Sequence, residues 1–231
     1  MKKIAVCTLA ALSTLSASAF AESVDVRVIG TITPTACTPT LSGGGTIDYG
    51  AINPNTLSAT AYTVLPERQL DFAITCDAPA KVALRAINGR PASLAGATEG
   101  AQSAGRAPVN LFNLTAVGSV GLGLDGTSMI GGYGIRIAPD TVTADGIAVT
   151  SLRSLLTGTT WTADAYAGIL YDPANAIRIT SWGATGTTTP IAFTTLAGKL
   201  GVQAYINHSS NLDLTKPVAL NGLTTIELVY L

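Results

Sequence analysis

The chain has 231 residues, a formal net charge of −1 and only 12% charged residues. It therefore lacks the basic field that attracts nucleic acid or an anionic membrane surface, and we expect neither partner. The only histidine, His208, cannot build a multi-histidine metal site, so we expect no metal and no cofactor.

The N-terminus has the three parts of a secretory signal peptide. Lys2 and Lys3 precede an apolar run over residues 4–15, and small residues lead to Ala21. This order predicts a signal peptide over residues 1–21, export, and one mature domain over residues 22–231 with no transmembrane segment. Lipidation at Cys7 is the alternative, which Val6 disfavours because a lipid-attachment signal places Ala or Gly there.

Two cysteines remain after removal of the predicted signal peptide. Cys37 and Cys76 would reach an oxidising compartment, where an even pair predicts one disulfide. Two free thiols are the alternative. A bridge would close a loop of 76 − 37 − 1 = 38 residues, which corresponds to roughly 4 kcal/mol of stabilisation without strain.

The mature chain shows short alternating runs rich in Val, Ile and Thr. The first contains Val24, Val26 and Val28. Later runs are predicted strands over residues 70–76, 81–87, 133–137, 146–150, 177–182, 201–206 and 223–231. Turn dipeptides such as Asn88-Gly89 and Asp145-Gly146 separate several of them. Short strands separated by turns in this way predict an all-β fold, namely an Ig-like Greek-key β-sandwich.

Two stretches interrupt the alternation. Residues 90–108 are rich in Ala, Gly and Ser and are predicted to form a mobile loop, part of a loop-rich central insertion. Residues 151–161 are predicted to contain a helical turn, because Leu152, Leu155 and Leu156 follow the helical period.

No motif of a nucleophilic, zinc-dependent or phosphate-binding enzyme occurs in the sequence. G-x-S-x-G, H-E-x-x-H and G-x-x-x-x-G-K-[ST] are all absent. We therefore expect a protein that is not an enzyme. A secreted β-sandwich hydrolase and a stand-alone periplasmic or surface binding protein are the alternatives.

Three segments carry a resemblance to a known family. Gly30 is followed by six residues and Cys37, residues 70–76 form a strand that ends in Cys76, and residues 226–231 alternate around the penultimate Tyr230. In this order they resemble pilus subunits assembled by the chaperone–usher route. Together with Asp48-Tyr49-Gly50 and Gly131-Gly132-Tyr133, they are also similar to a little-characterised exported branch related to fimbrial subunits.

The resemblance implies a sandwich that lacks its final strand. A periplasmic chaperone or another fimbrial subunit would supply that strand, with an usher as the assembly partner. Ile226, Leu228 and Tyr230 would line the interface with the complementing strand, and Val24, Val26 and Val28 would form a donor strand or a first strand. The implied role is structural or adhesive, in the periplasm and then in a fimbrium at the cell surface, although no motif identifies a host ligand.

The N-terminal segment departs from the family pattern. After the predicted cleavage only residues 22–29 precede Gly30, whereas polymerising subunits carry a longer extension. If the three valines pair within their own sandwich, little chain remains to donate. We therefore expect a protein that accepts a strand but donates poorly, as a terminal, minor or non-polymerising member.

Overall fold

The computed structural model describes residues 24–31, 35–174 and 176–231. The predicted signal peptide over residues 1–21 lies outside these ranges. Residues 24–31 carry no strand, and the side chains of Val24, Val26 and Val28 are more than four-fifths exposed. The interpretation of these valines as a first strand therefore stays a prediction. Their donor role stays a prediction.

Residues 35–231 form an all-β unit, with short 3-10 turns as its only helical elements among the described residues. Its strands are β1 (Cys37–Leu41), β2 (Thr63–Val64), β3 (Arg68–Ala80), β4 (Val82–Asn88), β5 (Gly105–Arg106), β6 (Gly118–Gly121), β7 (Leu124–Asp125), β8 (Ser128–Met129), β9 (Gly131–Ile137), β10 (Thr143–Ala144), β11 (Ile147–Leu155), β12 (Thr162–Ala163), β13 (Arg178–Ala184), β14 (Phe193–Ile206) and β15 (Thr224–Tyr230). The 3-10 turns are Ser42–Gly45, Pro54–Thr56, Pro139–Thr141 and Ser209–Asn211. None of the helices in the described ranges is long and apolar enough to cross a membrane.

Thirteen of these fifteen strands pair antiparallel in two linked groups, and β7 pairs only with β8. The first sheet has the order β1–β3–β14–β9–β6–β5, with β2 added on β14, and the second has the order β15–β4–β13–β11–β12. Strand β10 pairs with both β14 and β11 and so joins the two sheets. This arrangement is consistent with the predicted β-sandwich.

The core contains large side chains from both sheets. Phe72 and Ile74 of β3 and Leu200 of β14 belong to the same buried cluster as Leu84 of β4 and Trp182 of β13. A second, smaller cluster packs around Leu94, Leu111 and Tyr205. Their burial follows from the period-two alternation, which places successive side chains on opposite faces of a strand.

Most sequence predictions of strands are confirmed. The runs over residues 70–76, 81–87, 133–137, 146–150, 177–182, 201–206 and 223–231 coincide with β3, β4, β9, β11, β13, β14 and β15. The disulfide is also confirmed, because Cys37 and Cys76 are bonded and lie directly opposite each other in the β1–β3 ladder.

The helical turn predicted around Leu152 is wrong. Leu152 and Leu155 lie in β11, which pairs with β13 over seven residues from Val149 to Leu155. The helical spacing of the leucines was outweighed by this ladder, which satisfies the backbone and buries Leu152 completely while Leu155 remains exposed.

Residues 90–108, predicted as a mobile loop, contain the two-residue strand β5 and otherwise irregular backbone that packs against the sandwich. The Glu99 carboxylate accepts hydrogen bonds from the backbone N–H groups of Ala92, Ser93 and Leu94. Leu94 is buried in the smaller cluster. Side-chain hydrogen bonds to the backbone therefore give this segment an anchor that its composition did not indicate.

Candidate functional site

Strand β15 is an edge strand. It pairs with β4 through all seven residues, from Thr224 opposite Asn88 to Tyr230 opposite Val82, and no strand of the described chain pairs with its other side. Its only charged residue, Glu227, forms an ion pair with Arg85 at 3.5 Å. An unpaired edge presents a row of backbone donors and acceptors on which another strand can align.

An apolar cavity of about 820 Å³ lies beside β15. We call it the groove. The first sheet contributes aliphatic side chains to its wall, and β15 contributes Thr224 and Ile226. The first-sheet members are Leu41, Ile135, Leu200, Val202, Ala204 and Ile206, together with the aromatic Tyr133. Leu122, Ile130 and two loop segments within residues 44–57 and 212–223 complete the lining.

The two charged residues in the groove lining are bonded to neighbours. The Asp48 carboxylate accepts from the N–H of Gly50 at 2.7 Å. Lys216 Nζ donates to Asp125 Oδ1 at 2.8 Å, and this contact raises the pKa of Lys216 above its ordinary value. The groove is therefore suited to an apolar occupant, since its charges already have partners.

Three hydroxyl groups meet where β15 begins. Thr224 Oγ1 lies 2.6 Å from the Tyr133 hydroxyl and 3.0 Å from the Tyr171 hydroxyl. Tyr133 and Thr224 line the groove, whereas Tyr171 is fully buried behind them. Burial raises the pKa of Tyr133 to about 12 and also raises the pKa of Tyr171. Both phenols are therefore hydrogen-bond donors at neutral pH.

The other end of β15 is tied to the first sheet. The hydroxyl of Tyr230, whose side chain is half exposed, accepts a hydrogen bond from the backbone N–H of Cys37 at 2.7 Å. Since Cys37 begins β1 and forms the disulfide, the end of the last strand is fixed to the most constrained part of the first sheet.

The structure places the predicted interface residues at different points of β15. Ile226 lines the groove, Leu228 packs against the main core, and Tyr230 binds Cys37. Their complementation role stays a prediction. Sequence reasoning missed the hydroxyl cluster and the loop lining. The signal for the loop was four apolar residues separated by two or four positions, because an extended segment with this spacing presents them on one face. These residues are Leu212, Leu214, Val218 and Leu220.

A buried ionic cluster lies elsewhere on the second sheet. The Arg153 guanidinium is 3.5 Å from Asp164 and 3.6 Å from Asp172, and Arg178 donates to Asp172. Burial lowers the pKa of Arg153 below its ordinary value. The charges balance, so the cluster acts as a cross-link between β11, β13 and the intervening loop. Among the described residues, no group of three or more His, Cys, Asp and Glu side chains could hold a metal ion.

Comparison with known proteins gives one family model and two relatives from Escherichia coli (strain K12). The model, described as "Protein of unknown function (DUF1120)", matches residues 26–133. Protein GltF is 29% identical over 255 aligned residues, which cover 98% of this chain and 96% of that protein. Uncharacterized protein YhcF is 29% identical over 226 residues, which cover 90% of each chain. No solved structure matches significantly.

The two relatives match nearly the whole chain, whereas the family model ends at Tyr133 in β9. The residues that match the family model therefore include β1 and β3, which the disulfide joins, and end before β15. The resemblance to chaperone–usher subunits is carried by the sequence motifs alone.

Proposed function

We propose that the protein is an exported structural or adhesive subunit of the fimbrial type that acts by β-strand complementation. The edge of β15 accepts a strand from a periplasmic chaperone or from a neighbouring subunit. Alternate apolar side chains of that strand enter the groove. The single observation that carries the proposal is the unpaired edge of β15 beside an apolar cavity of about 820 Å³.

The dimensions support a strand as the occupant. Seven residues of β15 are available for pairing, and at about 3.3 Å per residue they extend over roughly 20 Å. A partner strand of this length directs three or four side chains to one face because successive side chains alternate. Backbone hydrogen bonds then give affinity, and the groove gives selectivity.

The N-terminal segment is a candidate donor for a second copy of the chain. Val24, Val26 and Val28 have the alternation that the groove requires, and they are exposed. The expectation of poor donation depended on these valines pairing within their own sandwich. Residues 24–31 contain no strand, and the expectation of poor donation stays a prediction.

We propose a non-catalytic role. The only histidine, His208, packs its ring against Tyr62 with 4.5 Å between ring centroids. No described contact joins this histidine side chain to a serine, threonine or cysteine nucleophile, which is the pairing that acyl-transfer hydrolases require.

The test is a binding titration with the purified full mature chain. The probes are fluorescent ten-residue peptides, one copying residues 22–31 and others with different alternating apolar residues. We expect saturable binding of at least one peptide, loss of that binding in Ile226→Asp, and retention in the control Thr225→Asp, whose side chain is exposed on the same strand. Failure of every peptide to bind, or equal loss in both variants, contradicts strand acceptance at this edge.

A further inference from the structure

The three hydroxyl groups at the start of β15 carry one more hydrogen than the hydrogen bonds among them require. Tyr133, Tyr171 and Thr224 each carry one hydroxyl hydrogen. The two hydrogen bonds among them use two, and no other described residue accepts the third. Tyr171 is fully buried and its only described hydrogen bond is with Thr224, so its hydrogen is used there and the spare donor is on Tyr133 or Thr224, at the end of the groove.

This donor lies in apolar surroundings. Leu122, Ile130 and Ile226 line the same cavity beside Tyr133 and Thr224, and Tyr133 is only 5% exposed. A hydroxyl hydrogen without an acceptor in such surroundings is costly, so a molecule that supplies an acceptor here gains affinity. Ionisation does not remove the donor near neutral pH, since burial raises the pKa of Tyr133 to about 12.

The position of the Tyr133 ring is fixed by the backbone next to it. A Cβ added at Gly222 would lie 2.7 Å from Tyr133 Cε1, so the glycine allows the chain to pack directly on the ring. Gly222 lies two residues before Thr224. The two groove-lining hydroxyls are therefore held in place before any partner arrives.

We infer that the strand accepted beside β15 carries a Ser or Thr side chain at the position next to Thr224, and apolar side chains at its other groove-facing positions. This inference rests on the proposed function. A hydroxyl accepts the unused hydrogen and donates its own to a lone pair of the tyrosine oxygens. An aliphatic side chain leaves the donor unpaired, and a carboxylate loses its hydration at an apolar end of the groove.

Thr and Val side chains have nearly the same shape, so a preference between them at this position reports the hydroxyl group alone. A site that hydrogen-bonds a hydroxyl rejects the analogue that lacks it, since the buried polar groups are then left unpaired. We expect about a tenfold preference for Thr over Val at the position next to Thr224, which corresponds to the net contribution of one hydrogen bond. At the other groove-facing positions Val is preferred.

The experiment starts from a peptide that binds the full mature chain. At each groove-facing position in turn, the affinity of the peptide with Thr is compared with that of the peptide with Val. The same scan is applied to the double variant Tyr133→Phe/Thr224→Val, which removes both groove-lining hydroxyls. Tyr49→Phe is the control, because Tyr49 lines the same cavity but its hydroxyl already donates to the Val202 carbonyl at 3.3 Å.

The expected result is a preference for Thr at one end position, lost in the double variant and unchanged in Tyr49→Phe. Equal binding of Thr and Val peptides at every position, or a preference that survives in the double variant, overturns the inference. The scan on the unaltered protein decides the matter even if the double variant does not fold. Absence of binding by every peptide is a separate result, which overturns the proposed function as well.

Discussion

The hydroxyl of Tyr230 accepts a hydrogen bond from the backbone N–H of Cys37 at 2.7 Å, across 193 positions of sequence. This bond connects the last strand of the second sheet to the disulfide strand of the first sheet. The penultimate tyrosine, which the sequence analysis identified only as part of a resemblance, therefore has a physical role at the end of β15.

Replacement of Tyr230 by Phe tests this connection. We expect a loss of about 1 kcal/mol in the free energy of unfolding, because the N–H of Cys37 loses its acceptor and water replaces it only in part. Urea denaturation measures the change. The matched control is Tyr166→Phe, since Tyr166 is also half exposed and its hydroxyl forms no described hydrogen bond. Equal stability of the two variants contradicts the assigned role.

The disulfide contributes to stability through the loop that it closes. In the double variant Cys37→Ala/Cys76→Ala we expect the free energy of unfolding to fall by up to roughly 4 kcal/mol, and reduction of the unaltered protein should have a similar effect. Peptide mapping without reductant should recover the two cysteines as one linked species. Complete alkylation of both in periplasmic protein is the outcome that would refute the pairing.

Leu228 packs against the core, whereas Thr225 on the same strand is exposed. Leu228→Asp places a charge among apolar side chains at a cost of several kcal/mol, and the variant should be lost from the periplasm through aggregation or proteolysis. Thr225→Asp adds the same charge on the exposed face and should accumulate normally. Immunoblots of periplasmic fractions compare them. Unchanged yield and partner binding in Leu228→Asp would count against a complementation role for this strand.

The stability of the protein should fall above pH 10 because of Tyr133. Between the ordinary tyrosine pKa of about 10 and the folded-state pKa of about 12, the unfolded chain loses the phenolic proton while the folded chain keeps it. Below pH 10 both states are protonated and this contribution to stability is complete. Relative to Tyr133→Phe, the unaltered protein should lose roughly 2 kcal/mol by pH 12. Parallel stability curves from pH 8 to 12 would exclude this explanation.

Patterns within short segments predicted the strands well, because alternation reports directly which face of a strand is buried. The same local patterns could not predict contacts between distant segments. Tyr133, Tyr171 and Thr224 show no shared motif, and only the folding of β9 and β15 and the placement of residue 171 bring their hydroxyls together. The groove is likewise a product of tertiary structure, since its walls come from both sheets and two loops.

The wrong prediction of a helical turn near Leu152 shows that a local pattern can also indicate the wrong element. Three leucines at helical spacing are a weak local signal, and the seven-residue ladder between β11 and β13 outweighed it. For the motif residues, the sequence identified the C-terminal strand but not the different contacts of Ile226, Leu228 and Tyr230.

Amide hydrogen exchange along β15 tests strand acceptance most directly. In the free protein, the N–H groups of Thr224–Tyr230 that bond to β4 should be protected, and those on the unpaired edge should exchange rapidly. Saturation with a binding peptide should protect the second set and leave the first unchanged. Slow exchange of every β15 amide in the free protein, or an unprotected edge in the saturated complex, would contradict the account.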